Sequence, residues 1–353
     1  MIGKNARQWG TAAKAFFYIP PAGGEHRGAL RMFVGLAIPS LVLLATGHHN
    51  LVMYAVFGCF TGMYGRGEPH QLRLFHQVSA AAFLCACVVA GILTSASNVG
   101  AWGFVALETM VAGVGSVVTD RLRLRPVGPF FGIFAFGACA ATPLATTPWV
   151  PALVAVASAA CAIAVGFAGW FRVRTWHPGK RRTPVPHLMP PLPGHLATGA
   201  MYVVAVGLAG SLATAMGWGH PYWAMASAAI PLSAAGLSAG MARGFHRVIG
   251  TYAGLVVAAL ALGAFPHPVF LVLLVIAFQF PTELYIMRHY GLSLVFFTPL
   301  ILAMGYLANP GSLRGLVLDR AAETTIGAAI GMLVLFAFMH RPGSAAAAEA
   351  QPA

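Results

Sequence analysis

Residues 73–93, RLFHQVSAAAFLCACVVAGIL, open on an arginine and then run for twenty residues without Asp, Glu, Lys or Arg. Residues 243–263, RGFHRVIGTYAGLVVAALALG, begin with the same Arg-x-Phe-His and carry only Arg247 as a further charge. About 20 apolar residues in a row are what an α-helix needs to cross the hydrocarbon core of a bilayer. The runs are continuous rather than alternating, which selects helices over a transmembrane barrel. The rest of the 353-residue chain agrees: 58% of it is apolar, 8% is charged and the mean hydropathy is +0.77. So few charges cannot clothe a water-soluble globule. The composition therefore predicts an all-α integral membrane protein.

Twelve apolar segments are expected to span, at about 28–46, 50–66, 69–95, 100–119, 127–146, 149–173, 194–216, 220–240, 241–264, 267–286, 290–308 and 313–339. Pro143, Pro268 and Pro281 trim the fifth and tenth. Basic residues set the orientation. With the N-terminus inside, Lys4, Arg7, Lys14, Arg27, Arg66, Arg73, Arg121, Arg123 and Arg125 fall on the cytoplasmic side. Arg172, Arg174, Lys180 to Arg182, Arg243, Arg247, Arg288 and Arg341 fall there too. The opposite loops at 47–50, 95–100, 217–221 and 265–268 have no Lys or Arg, and Arg314 is the exception. Both termini are thus expected in the cytoplasm. Topology and anionic lipid account for the formal charge of +13, with no nucleic-acid partner required.

The chain divides into an interfacial N-terminal segment (1–27), a first six-helix repeat (28–173), a basic, proline-rich linker (174–194), a second repeat (195–340) and a low-complexity tail (341–353). Residues 6–19 read as a helix lying on the inner leaflet. Three anchors recur in order. Gly47-His48 matches Gly219-His220, and Arg73-x-Phe75-His76 matches Arg243-x-Phe245-His246. Asp120, Arg125 and Gly128 match Glu283, Arg288 and Gly291. An even number of spans per repeat gives both halves one orientation, related by an axis along the membrane normal.

Arg73 and His76 share one helical face, as do Arg243, His246 and Arg247. Both faces start at the basic end, so together they are candidates for a cationic vestibule that attracts anions; headgroup anchoring explains the same arginines without a pore. Glu108 lies mid-span, above the small residues Ala112, Gly115 and Thr119, and is a candidate proton carrier or a protonated structural group. Arg320 can reach Glu323 at i+3 for an ion pair, and Gly327 and Gly331 would let another helix approach; Arg320 and Glu323, with Glu283 and Thr298, are candidates to line the permeation route or couple protons, or serve packing and pairing alone. Pro231, Pro281 and Pro299 are candidate helix breaks, with Glu283 and Thr298 as polar groups beside the last two. Five cysteines, all in the first half, match no zinc spacing and read as small buried groups. Phosphate loops, nucleophile elbows and HExxH are missing, so neither a cofactor, a metal nor an enzymatic activity is expected.

At this point the chain resembles the fusaric acid resistance-like (FUSC) family, which includes aromatic acid exporters, and is distantly similar to aluminium-activated malate transporters. The residues that carry the resemblance are Tyr54-Ala-Val-Phe57-Gly58, Tyr64-Gly-Arg66-Gly-Glu68-Pro69, Gly219-His220-Pro-Tyr222-Trp223-Ala224 and Arg243-Gly-Phe-His246-Arg247-Val-Ile-Gly250-Thr251. Tyr290-Gly291 through Thr298-Pro299 and Arg320-Ala-Ala-Glu323-Thr324 complete it. The resemblance implies a protein of the bacterial inner membrane that exports small organic anions, aromatic carboxylates in particular, or conducts anions passively. Lipid and a second copy of the chain would be its partners. Two departures stand out: larger members carry sizeable cytoplasmic domains, and Arg-x-x-Glu-Thr has no counterpart in the sixth span. A proton-coupled exporter, a passive anion channel and a non-transporting envelope scaffold are the three functions to separate.

Overall fold

The structure, a computed structural model, describes residues 18–21, 23–173 and 192–339. The interfacial helix at 6–19, the linker and the tail fall wholly or mostly outside the described residues. Among those described the protein is all helix: α1 (His26–Ala45), α2 (Val52–Cys59), α3 (His70–Ala96), α4 (Ala101–Arg121), α5 (Phe130–Ala141), α6 (Trp149–Phe167), α7 (Leu192–Ala215), α8 (Pro221–Leu232), α9 (Leu237–Ala264), α10 (Pro268–Tyr285), α11 (Tyr290–Ala308) and α12 (Leu313–Met339). Tight 3-10 turns, His49–Leu51 and Phe60–Met63, extend α2 at both ends. Nine of these helices are long and apolar enough to cross a membrane, which makes the chain a multi-pass membrane protein.

The other three, α2, α5 and α8, are shorter than their apolar segments suggested. Twelve residues of helix reach only about 18 Å, well under the ~30 Å hydrocarbon core. The span expected at 220–240 stops at Leu232, because Gly236 turns the chain at φ +88°, and α9 therefore starts at 237. The span expected to end at 173 closes as a regular helix at Phe167, and a separate helical turn, Trp170–Val173, follows it. Conversely the tenth segment, which its prolines seemed to trim, is a full 18-residue helix. Pro281 and Pro299 lie inside continuous helices, and only Pro231 sits near a helix end. A proline deletes one backbone donor, but in apolar surroundings breaking the remaining ladder would expose still more polar groups. The interruptions fall where glycine and loop residues permit them.

Burial separates a centre from a rim. Every residue of α2 is buried, as is Tyr222–Leu232 of α8 and Phe130–Cys139 of α5. With α11 they form the core. The longer helices surround them and turn outward apolar side chains such as Leu260 and Leu333, which suits contact with lipid. Close packing here depends on missing side chains. A Cβ on Gly327 would stand 2.1 Å from the Ala224 carbonyl, and one on Gly331 would stand 2.3 Å from that of Ala228. The small-residue face of α12 expected from the sequence is therefore a backbone-to-backbone seam with α8.

Candidate functional site

Short central helices leave space beyond their ends. At the basic end, a cavity of about 700 Å³, counting its open mouth, is lined by Arg66, Arg243, Phe130, Phe131, Tyr290 and Phe297 among others. At the opposite end, a second space of about 480 Å³ is lined by Phe134, His220, Tyr222, Trp223 and Asn309, with apolar neighbours. Phe134 and Phe297 separate the two, their ring centroids 6.5 Å apart. Phe60 joins the partition at 6.1 Å from Phe297, and Phe57 at 5.5 Å from Phe134. The aromatic set comes from α2, its 3-10 extension, α5 and α11, all central.

Two arginines sit within this partition. Arg247 and Arg320 are fully buried, and they head the ranking of large buried side chains. The Arg247 guanidinium lies over Phe130, 5.3 Å from the ring centroid, and its Nε donates to Ser227 Oγ at 3.3 Å. The Arg320 guanidinium lies over Trp223 at 5.0 Å and Phe134 at 5.9 Å. None of its three nitrogens meets a hydrogen-bond acceptor among the described residues, nor do Nη1 and Nη2 of Arg247. The rings beneath them, Phe130 and Phe134, stack with centroids 6.0 Å apart. A guanidinium removed from water costs several kcal/mol when its charge is not compensated, whereas stacking on a ring returns about 0.5–2 kcal/mol. An arrangement of this kind favours a ligand that carries a negative charge and an aromatic face.

The ion pair expected between Arg320 and Glu323 does not form. Glu323 instead accepts the His220 backbone N–H at 2.9 Å, at the start of α8. Arg320 points to the rings, because one helical turn apart the two side chains leave α12 towards different neighbours. Glu108 is fully buried and faces the same region: a Cβ on Gly137 would touch its Oε1 at 2.6 Å and the Tyr222 Cβ at 2.5 Å. Its companions Ala112, Gly115 and Thr119 are buried beside it, as a small-residue face requires.

The two Arg-x-Phe-His starts do not share a cavity. Arg243 lines the basic-end space and donates to Ser233, at 2.8 Å to Oγ and 3.2 Å to O. Arg73 turns away to the carbonyls of Gly166 and Glu68, at 2.9 and 2.6 Å. His76 pairs with Glu68 through Nδ1. His246 stands against His289, with ring centroids 4.8 Å apart. Glu283 forms a 2.8 Å ion pair with Arg66 and accepts from Gln279 Nε2 at 3.3 Å. Thr298 is buried against the spot where a Cβ on Gly254 would be.

Arg66, which the sequence marked as a cytoplasmic-side arginine and part of a resemblance motif, was not among the candidate site residues, and neither was the aromatic partition. The signal was present in Pro129-Phe-Phe-Gly-Ile-Phe134, where phenylalanines spaced i, i+1 and i+4 open a segment bounded by Pro129 and Pro143. Reading that stretch only as a lipid-crossing run hid the inward face.

Comparison with known proteins bears on the second half of the chain. No curated protein and no solved structure matches it. Residues 208–334, from within α7 almost to the end of α12, match the model of the family described as fusaric acid resistance protein-like.

Proposed function

We propose that this protein exports small organic anions, aromatic carboxylates above all, across the cell membrane, with the basic end and both termini in the cytoplasm. The observation that carries the reading is the pair of buried guanidinia, Arg247 and Arg320, each stacked on an aromatic ring and poor in protein acceptors, between two opposed cavities. A carboxylate would satisfy the donors while its ring replaces the aromatic contacts of the partition. The inner cavity opens at the basic end, and its wall of Phe130, Phe131, Tyr290 and Phe297 beside Arg66 and Arg243 suits an aromatic anion. Arg243 at its wall raises the local anion concentration, and the phenylalanines and Tyr290 take up the apolar body.

Movement of one six-helix repeat against the other is the proposed means of access. The helix pairings support two parallel repeats. α4 packs on α7 as α10 packs on α1; α2 on α6 as α8 on α12; α3 on α5 as α9 on α11; and α5 on α8 as α2 on α11. In this account the short helices α2, α5 and α8 are counted with the nine long ones as repeat elements. The aromatic partition closes the direct route, which favours a carrier over an open channel. Glu108, buried beside Gly137 and Tyr222, is the proposed proton acceptor that couples export to the proton gradient.

Proteoliposomes loaded with labelled fusaric acid or benzoate test the proposal. Efflux driven by an acidic exterior, with stoichiometric proton entry, is the expected result. Unitary anion currents in planar bilayers would make it a channel, and no flux of any aromatic acid in either assay would refute transport.

A further inference from the structure

His220, which lines the far cavity, meets Asp319 and Glu323 of α12 in one cluster. His220 precedes the first residue of α8, whereas Asp319 and Glu323 stand one turn apart on α12. His220 Nδ1 lies 3.0 Å from Asp319 Oδ2, and one ligand atom from each of the three residues falls within 4.8 Å of the others. Nitrogen and oxygen ligands of a tetrahedral first-row cation sit about 2.0–2.2 Å from the metal, hence roughly 3.4 Å from each other. One pair, at 3.0 Å, lies a few tenths of an ångström inside that separation, and small side-chain rotations would open it and bring in the third.

Hydrogen bonding alone accounts for part of this arrangement, since Glu323 Oε1 caps the backbone of His220 and Asp319 meets its ring. It does not account for Glu323 Oε2, which is buried with no donor among the described residues. Nor does it need the access that the site has: the side chains of His220 and Asp319 are 31% and 28% exposed, and His220 lines the cavity. The imidazole is held in place by stacking on Trp223, at 4.4 Å and 15°. Gly219 keeps room beside it, since a Cβ there would come within 2.9 Å of Asp319 Oδ2.

We propose that His220, Asp319 and Glu323 form a binding site for a divalent first-row metal cation, Zn²⁺ foremost, that opens to the far side of the membrane. One imidazole and two carboxylates favour Zn²⁺ or Mn²⁺ over Mg²⁺ and Ca²⁺, and supply two negative charges for the dication. Arg320, which lies against the same Trp223 ring as His220, opposes it and weakens binding. A bound ion ties the start of α8 to α12 and so fixes the far mouth. Among the described residues the site has no counterpart in the first half: Gly47-His48 repeats Gly219-His220 there, but α6, the counterpart of α12, has no Asp or Glu.

Binding is measured without reference to transport. Untagged protein, purified in detergent and stripped with EDTA, is titrated with ZnCl₂ by calorimetry and with CoCl₂ by visible absorption. Saturable uptake of one ion per chain is expected, with affinity lowered on the order of tenfold or more in His220→Ala and in Asp319→Asn. Asp319→Asn is isosteric at a partly exposed position, so it reports even if His220→Ala misfolds. An absence of saturable Zn²⁺ uptake, or uptake that Asp319→Asn leaves unchanged, overturns the site.

Discussion

Arg320 stands over Trp223 with 5.0 Å between the guanidinium carbon and the indole centroid, and His220 stacks on the same ring at 4.4 Å. One buried cation is thus linked through an aromatic plane to the mouth of a cavity. The stack gives Arg320 a fixed position while leaving its N–H groups available to a ligand.

This arrangement makes stability and function separable. A buried charge without hydrogen-bonded compensation lowers stability, and an apolar replacement of similar volume is often neutral or stabilising by about 1–4 kcal/mol. Arg320→Met should therefore keep or raise the melting temperature in detergent while lowering export by roughly two orders of magnitude, about 2.7 kcal/mol in the barrier. Arg320→Lys should not restore export, because an ammonium lacks the planar fork. Loss of stability and of export together would show the arginine to be structural.

The seam between α8 and α12 gives a second expectation. Gly327→Leu places a side chain where the Ala224 carbonyl is 2.1 Å away from the Cβ position. The helices must separate, at a cost of about 2–3 kcal/mol. Thermal unfolding followed by circular dichroism should show the loss, whereas Leu333→Ala, on the exposed face of the same helix, should leave the midpoint nearly unchanged.

Much of this seam was legible in the sequence, because Gly327 and Gly331 recur every four residues on one helical face. The all-helical class, the apolar segments and the inward face of Glu108 were legible for the same reason: periodicity and hydropathy are local. Helix length at the centre was not. α8 reads as part of a continuous apolar run, and only the backbone conformation of Gly236 shows where it stops. Nor could the fate of equivalent arginines be read. Arg73 and Arg243 begin identical patterns, yet Arg73 finds the carbonyls of Gly166 and Glu68 while Arg243 finds Ser233 and a cavity. Partners from distant segments decide this, and no spacing encodes them.

Arg66 and Glu283 tie the loop after α2 to α10, across the two halves, at 2.8 Å. Removing one partner of such a pair leaves an uncompensated charge. Glu283→Leu should cost about 2–3 kcal/mol, a little under the range for wholly buried pairs because Arg66 keeps some solvent contact. Arg66→Met in the same chain should recover at least about half of it. A double-mutant cycle of unfolding midpoints measures this, and additive losses would mean that the pair contributes nothing as a pair.

Glu108 carries the coupling prediction. In Glu108→Gln, efflux of fusaric acid should no longer accelerate when the exterior is made acidic, because the proton acceptor is gone. Exchange of labelled for unlabelled solute, which needs no net proton movement, should continue. Efflux in proteoliposomes at several imposed pH differences decides it; an unchanged dependence on the gradient would assign the carboxyl to packing.

The central claim is that Arg247 and Arg320 together seat the carboxylate of an aromatic anion. The most direct measurement is a structure of the protein with 4-bromobenzoate, in which anomalous scattering locates the bromine. The account predicts a bromine peak among Phe130, Phe134 and Phe297, with the carboxylate hydrogen-bonded to both guanidinia. Ordered bromobenzoate found only elsewhere, with Arg247 and Arg320 hydrogen-bonded to other groups of the protein, would contradict it.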